Sequence, residues 1–307
     1  MSNPNLQPQI RCLESELILR GRIARIGRLA LDKYEALKKP EATLAGLRQC
    51  KRRIDIFTFM QTMSDKERTL NYHFEMDNLA ILPVSQFDEW WTKQIDAKTR
   101  NMVRKSGKKG VVMREMPFDD TLIYGIWDIY NETSVRQGRK NRHFGKDIDT
   151  VRRESGTYLD RSVFLGALLQ NELIGFVKIV VDESNTQASL MNIAAKVRHR
   201  DKAPTNALIA ECVRVCADRS IPYLMYQNLE YGNKGADSLT TFKEANGFQR
   251  VDLRRYFVPL TVLGRVALSL GMHHQLIDRL PASIAAKIRQ IRNAWYNRKL
   301  QSEMEAT

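Results

Sequence analysis

Four stretches of the chain gather side chains that could do chemistry. Residues 98–110, KTRNMVRKSGKKG, hold six basic residues in thirteen and no acid. Arg100, Arg104, Lys105 and Lys108 recur there at helical spacing, so a single exposed face could meet phosphate groups. A solvated helix face is the plainer account. Residues 200–208, RDKAPTNAL, open a helix, and Arg200, Lys202, Thr205 and Asn206 surround its start. Free N–H groups at a helix start bind anions, although Pro204 offers none. Residues 134–145, SVRQGRKNRHFG, make a basic loop in which Arg139, Arg142 and His143 could hold an acidic group. Residues 239–248, LTTFKEANGF, carry Phe242-Lys243 ahead of Asn246-Gly247. Leu239 and Phe242 read as core, Gly247 as a helix cap, and Lys243 by default as a cation in water.

Other candidates have bland explanations. Tyr231 could donate a proton to a leaving group, but beside Gly232 it also reads as a loop residue. His199 and His273-His274 stand at no metal spacing with a visible carboxylate, so they read as structural and no metal-ligand set is expected. Cys212 and Cys216 share a helix face with Leu208 and Ile209, which points to packing. With Cys12 and Cys50 they show no disulfide framework. Trp90-Trp91 reads as packing between two units of the chain.

These residues need elements to position them. The 307 residues, 43% hydrophobic, suffice for one large domain or two small ones. The net charge of +14 speaks of phosphates, nucleic acid or an anionic membrane surface. It is unevenly placed: Leu260 to Leu300 holds seven Lys or Arg against the single acid Asp278. The opening MSNPNLQPQI has no apolar core of a signal peptide, and no apolar run reaches the roughly 18–20 residues of a membrane span. A cytoplasmic protein is expected, with the basic tail able to touch an anionic membrane from outside.

Patterning predicts a largely helical first fifty residues, then strands over 54–60 and 71–84. A helix from about Gln86 to Lys109 is expected, opened by Asp88 and closed at Gly110. A strand over 111–116 precedes helices over 119–137 and 146–159. Three strands follow, 162–169, 172–182 and 186–195, turning at Asn171 and at Glu183-Ser184-Asn185. A helix over 204–219, a strand over 223–228, a helix over 236–246 and a strand over 248–258 complete the run. Two basic amphipathic helices separated by Pro281 are expected beyond Pro259.

Strand, two helices, three-strand meander, helix, strand, helix, strand is the order of the GNAT acyltransferase fold. An α+β protein is therefore expected, a mixed sheet flanked by helices. Residues 1–110 would be an incomplete GNAT-like α/β segment, 111–259 the GNAT-like domain, and 260–307 a basic helical tail. CoA-dependent GNAT enzymes open the helix after the meander with a glycine-rich loop. Here Ala203 and Thr205 take the glycine positions with Pro204 between them, a poor cradle for pyrophosphate. Such enzymes commonly place a tyrosine four residues before the Gly-Phe step, where this chain has Lys243.

With these features the chain resembles the Fem-type aminoacyl and peptidyl transferases and the Fem-like branch of GNAT proteins. KTRNMVRKSGKKGV is similar to that family's basic helix, APTNALIAECVRVCADRSI to its helix with Ala-Pro in place of glycines, and Phe242-Lys243 to its Phe-Lys pair. The overlap spans about residues 85–258. The chain departs from the family in ending one strand Tyr226-Gln227-Asn228, and in a first segment too short for a full unit. The resemblance implies acyl transfer to an amine without metal, from an aminoacyl-tRNA, an acyl-CoA or an acyl carrier protein. It implies that Lys243 stabilises the oxyanion and that Phe242 shapes the pocket, with Tyr231 as the further catalytic candidate. Arg200, Lys202, Thr205, Asn206, Asn192 and Ile193 would bind the donor, and the backbone of 190–195 would assist the oxyanion. Arg139, Arg142, His143, Tyr226 and Asn228 would face the acceptor, and the basic helix would meet donor phosphates or tRNA. The rival expectation is a non-catalytic module of the same fold that sits on RNA or anionic lipid.

Overall fold

The computed structural model describes the backbone of residues 9–12, 15–30, 32–136, 139–230 and 238–274. Tyr231, the side chain of Arg139 and the second basic helix expected after Pro281 lie outside the described residues.

The first unit begins with strands β1 (Gln9–Cys12), β2 (Ser15–Arg20) and β3 (Ile26–Leu29), then helix α1 (Pro40–Arg48). The expected helical opening is therefore wrong before Pro40. SELILR is made of good helix formers, yet Leu17 and Leu19 are buried at strand spacing, and tertiary pairing overrides the propensity. Strands β4 (Ile56–Met60) and β5 (His73–Pro83) fall where aromatic and branched residues placed them.

The expected long helix from Gln86 is broken. Phe87–Glu89 (α2) passes into a wide turn at Trp90–Gln94, and α3 (Ala97–Lys108) starts afresh. Asp96, not Asp88, is its cap, accepting a 2.7 Å bond from Thr99 N–H. The break sinks Trp90 into the core, where its Nε1–H donates to the Asn246 carbonyl at 3.0 Å.

The second unit has strand β6 (Val112–Met116), helix α4 (Asp120–Asn131), a small hairpin of β7 (Val135–Arg136) and β8 (Arg139–Lys140), and helix α5 (Ile148–Ser155). The meander β9 (Ser162–Leu169), β10 (Glu172–Val181) and β11 (Gln187–Ala195) follows. Helix α6 (Pro204–Asp218), strand β12 (Tyr223–Asn228), helix α7 (Ser238–Ala245), strand β13 (Gln249–Pro259) and helix α8 (Val262–Ser269) complete it.

Eleven strands make one mixed sheet in the order β1-β2-β3-β4-β13-β5-β12-β11-β10-β9-β6. One face packs on α6 through Leu208, Ile209, Cys212 and Val213, with Trp90 in the same core. The opposite face packs on α4 and α5 through Leu122, Ile126 and Val151. Cys212 and Cys216 are buried free thiols in the first core, as packing required. Cys50, by contrast, is disulfide-bonded, which corrects the reading of the cysteines.

Strand β5 belongs to the first segment but pairs with β12 on one side and β13 on the other. We propose that residues 1–110 are a partial GNAT-like unit whose sheet is completed by strands of 111–259. Expressed alone, residues 111–259 should give no cooperative melt, because two long strand edges would lose their partner. A two-state thermal transition of that fragment would contradict this division of labour.

Candidate active site between the splayed strands

Strands β11 and β12 run parallel, but they pair only from Gln187↔Tyr223 to Ser189↔Met225. Beyond that point they separate, and both are irregular. Met191 is the extra residue of a bulge on β11, between the pairs Ile179↔Leu190 and Lys178↔Asn192. Gln227 takes φ +49° where β12 slips register against β5. Tyr158, just after α5, takes φ +56°. A non-glycine residue in the left-handed region costs roughly 1–2 kcal/mol, and such strain gathers where a fold must present particular groups.

Met191, Gln227 and Tyr158 line one cavity of about 280 Å³, together with Arg28, Lys33 and Tyr34. Its floor is charged. Asp32 is buried and accepts from Arg28 Nη1 at 2.6 Å and Arg255 Nη1 at 2.9 Å, while Arg255 Nε also reaches Asp77 at 2.7 Å. Burial, and then the nearby guanidinium groups, pull the Lys33 ammonium below its usual pKa against the attraction of Asp32. Burial pushes the Tyr34 hydroxyl up to about 12, so it stays protonated and can donate. Behind Tyr158 lies Lys178, fully buried, donating to the Ser155 carbonyl at 2.8 Å and to Thr157. Burial lowers its pKa to about 8. Its ammonium closes the carbonyl end of α5 and so fixes the cavity wall. Sequence reasoning missed Lys178, Tyr34 and Tyr158. The lysine inside the apolar run ELIGFVKIVV was the available signal.

Lys243 occupies the α6 side of the sheet. It is fully buried rather than in water, and its Nζ donates to the Asn228 carbonyl at 2.5 Å. The same Nζ lies 4.5 Å from the centroid of the Tyr226 ring. Helix α7 achieves this because Gly247, at φ +89°, turns the chain back sharply; a Cβ there would sit 3.3 Å from Trp90 Nε1. Phe242 packs against the α6 core beside Tyr226. Lys243, Phe242, Tyr226 and Asn228 are thus brought together at the end of β12.

The other candidates divide. Thr205 and Asn206 stand half-buried in the first turn of α6, with Arg200 exposed and Lys202 paired to Asp201 at 3.2 Å. Ile193 packs toward α6, whereas Asn192, opposite Lys178, faces the α4 and α5 side. Strand alternation therefore splits that pair between the two faces of the sheet. His143 is corrected: its ring stacks on Tyr130 at 4.1 Å, and burial with Lys146 and Arg142 lowers its pKa to about 4. Neither it nor the exposed Arg142 lines the cavity. The basic helix α3 packs beside α6 and the turn before it, and the field of Lys105 reaches the Asp201 carboxylate. Arg100 is half-buried and turns its Nη1 to the carbonyls of Trp91 at 3.0 Å and Ile95 at 2.5 Å. Arg104 lies over the Trp91 ring at 5.3 Å, and Lys105 and Lys108 are exposed. His273 and His274 both meet Glu75, a carboxylate partner that the sequence did not show, whereas the 3.5 Å contact of His199 with Glu172 fits its structural reading.

Ala203 caps α6 at φ +51°, ψ +43°, a conformation suited to glycine. Ala203→Gly should therefore stabilise the protein by about 0.5–1 kcal/mol, the relief of strain less the added chain entropy. An unchanged or lowered denaturation midpoint would contradict that.

No family model matches the chain, and a search of curated proteins finds no match. Solved structures do match. L-PGS from Bacillus licheniformis superposes with a TM-score of 0.56 at 12% identity, covering 87% of this chain and 88% of that one. FemX matches with a TM-score of 0.54 at 9% identity, covering 83% and 86%. The C-terminal domain of a putative lysylphosphatidylglycerol synthetase from Agrobacterium fabrum matches at 0.51 and 10% identity, covering 86% and 87%. The fold is that of the Fem-like GNAT proteins. At these identities the likeness fixes architecture alone, and the α+β mixed sheet agrees with expectation. No described helix of this Fem-like GNAT fold is long and apolar enough to cross a membrane.

Proposed function

We propose that the protein transfers an acyl or aminoacyl group from an activated ester or thioester to an amine. The amine nitrogen attacks the donor carbonyl, forming a C–N bond and an oxyanion. Collapse breaks the bond to the leaving oxygen or sulfur, and the amine's proton passes to a weak base or to the leaving group. The observation that carries this reading is Lys243: a cation fully buried at the end of β12, beside the point where β11 and β12 part. A buried cation acts at low effective dielectric and favours a developing oxyanion more than a neutral carbonyl. The bond from its Nζ to the Asn228 carbonyl fixes the ammonium at the end of β12. The backbone of Leu190 to Ala195, freed from β12, supports the same oxyanion.

Donor and acceptor would approach from opposite faces. The donor's anionic part suits the first turn of α6, with Thr205, Asn206 and Lys202 at hand and Lys105 of α3 alongside. An aminoacyl-tRNA suits this better than acyl-CoA, because Pro204 and the Cβ of Ala203 spoil a pyrophosphate cradle. The likeness in fold to FemX and L-PGS lends support to an aminoacyl donor. The amine would enter through the cavity of Tyr34, Tyr158 and Gln227, where Lys33 suits an acceptor carrying a negative group. A cytoplasmic site of action belongs to the proposal, although the Cys50 disulfide favours a less reducing compartment.

The test presents purified protein with labelled acetyl-CoA and, separately, with tRNA charged with labelled amino acids, each with a pool of amine acceptors. Label should leave the tRNA ester, while acetyl-CoA binds more weakly than micromolar. Tight CoA binding at α6 would assign the donor as CoA. Salt-sensitive tRNA binding with no loss of label would favour the non-catalytic RNA-binding module instead.

A further inference from the structure

Away from the splayed strands, three imidazoles converge on one carboxylate oxygen. Glu75 Oε1 lies 2.7 Å from His273 Nε2, 3.1 Å from His274 Nε2 and 3.8 Å from His73 Nε2. The ligand atoms of His73, Glu75 and His273 all fall within 4.8 Å of one another. They come from distant parts of the chain, the first two from the start of β5 and the third from the turn after α8. Only the His273 contact has hydrogen-bond geometry, so hydrogen bonding alone leaves the other two rings gathered there without a bond to the oxygen. The side chain of His273 is buried, with its Nδ1 unpartnered among the described residues, so the ring's polar commitment is at Nε2.

The spacing fits a metal ion. Zinc binds imidazole nitrogen and carboxylate oxygen at about 2.0–2.2 Å, and a tetrahedron of that size has edges of about 3.3 Å. The three distances from Glu75 Oε1 bracket that edge. Two histidines and one carboxylate, with no thiolate, suit zinc, cobalt or nickel rather than calcium or magnesium. A cavity of about 380 Å³, lined by His73, Arg265 and Ser269, adjoins the cluster and gives room for water at an open coordination position.

The frame around the cluster is rigid. Helix α8 lies so close to β4 that a Cβ on Gly264 would meet the Asp55 carbonyl at 1.8 Å. Thr261 Oγ1 donates to Asp55 Oδ1 at 2.7 Å, and Leu260 N–H donates to the Asp55 carbonyl at 2.8 Å. The imidazole of His273 is also held against Phe257, with centroids 4.6 Å apart. We propose that His73, Glu75 and His273 bind a zinc-class divalent cation, with His274 able to join, and that the ion pins the turn after α8 to the start of β5. Along β5, Asn78 and Leu79, which meet the end of β12, are five and six residues from His73, about 17–20 Å, and three and four from Glu75, about 10–13 Å. The ion is therefore structural and takes no part in acyl transfer.

The test uses the full chain stripped with EDTA and then titrated with Zn²⁺ by calorimetry, and with Co²⁺ by visible ligand-field absorption. One equivalent should bind and raise the melting temperature. Glu75→Gln and His273→Ala should each weaken Zn²⁺ binding by more than about 100-fold, because even outer-shell partners of a metal site are worth about 10–100-fold. His73→Asn, at a half-exposed position that folding should tolerate, should do the same and remove the Co²⁺ band. His199→Ala, in the turn before α6 and paired to Glu172, should change neither. Absence of one-equivalent binding would overturn the site, as would full affinity in the folded His73→Asn protein.

Discussion

Lys243→Met is expected to lower turnover by about 10²–10³-fold, the usual cost of removing one preorganised oxyanion donor. Methionine keeps the length and apolar stem, and its helix propensity matches that of lysine. The substitution removes a buried charge and its bond to the Asn228 carbonyl. The unpaired Asn228 carbonyl costs about 1–3 kcal/mol, offset in part by the gain of an uncharged core. Loss of acyl transfer together with a near-native melting temperature is the expected pair of results. Lys243→Arg should not rescue, because the pocket of Tyr226 and Phe242 is closed around the smaller ammonium. A fully active Lys243→Met enzyme would remove the oxyanion assignment.

The second large effect concerns stability. Asp32 is buried between Arg28 and Arg255, and among the described residues no other carboxylate is bonded to Arg28. Asp32→Asn leaves two guanidinium groups and Lys33 facing one another at low dielectric. Breaking a buried ion pair by removing one partner costs about 3–5 kcal/mol. The melting temperature should fall by roughly 5–10 °C for a protein of this size. The paired change Asp32→Asn with Arg28→Met should recover part of that loss, because it removes one of the stranded charges. Calorimetric melts of the single and double variants check this, and equal melting temperatures for Asp32→Asn and the parent would contradict the reading of the cavity floor.

Local signals carried much of the second unit. Asn171 and Asn185 sit at φ +69° and +54°, where asparagine is tolerated, and the meander turns at both. Asn246-Gly247 ended α7 for the same kind of reason, and that turn buries Lys243. What could not be read was long-range. β2 is built largely of helix-forming residues, and only its pairing with β1 and β3 makes it a strand. Arg255 meets Asp32 across 223 positions, and His273 meets Glu75 across 198. No spacing rule links residues so far apart. The basic stretch forms a helix as its spacing required, but the contacts of its first arginine were not legible. Arg100 Nη1 serves the Trp91 and Ile95 carbonyls, whose need for a donor arises from the broken helix, and that break was invisible in the pattern of apolar residues.

Catalysis between β11 and β12 is tested most directly by a crystal structure with a hydrolysis-resistant aminoacyl donor, an adenosine bearing its amino acid through a 3′-amide. The carbonyl oxygen should lie within about 3.2 Å of Lys243 Nζ or of a backbone N–H of Leu190 to Ala195, with the adenosine against the first turn of α6. A donor analogue bound with its carbonyl on the far face of the sheet, or outside the gap between the two strands, would contradict the proposed mechanism.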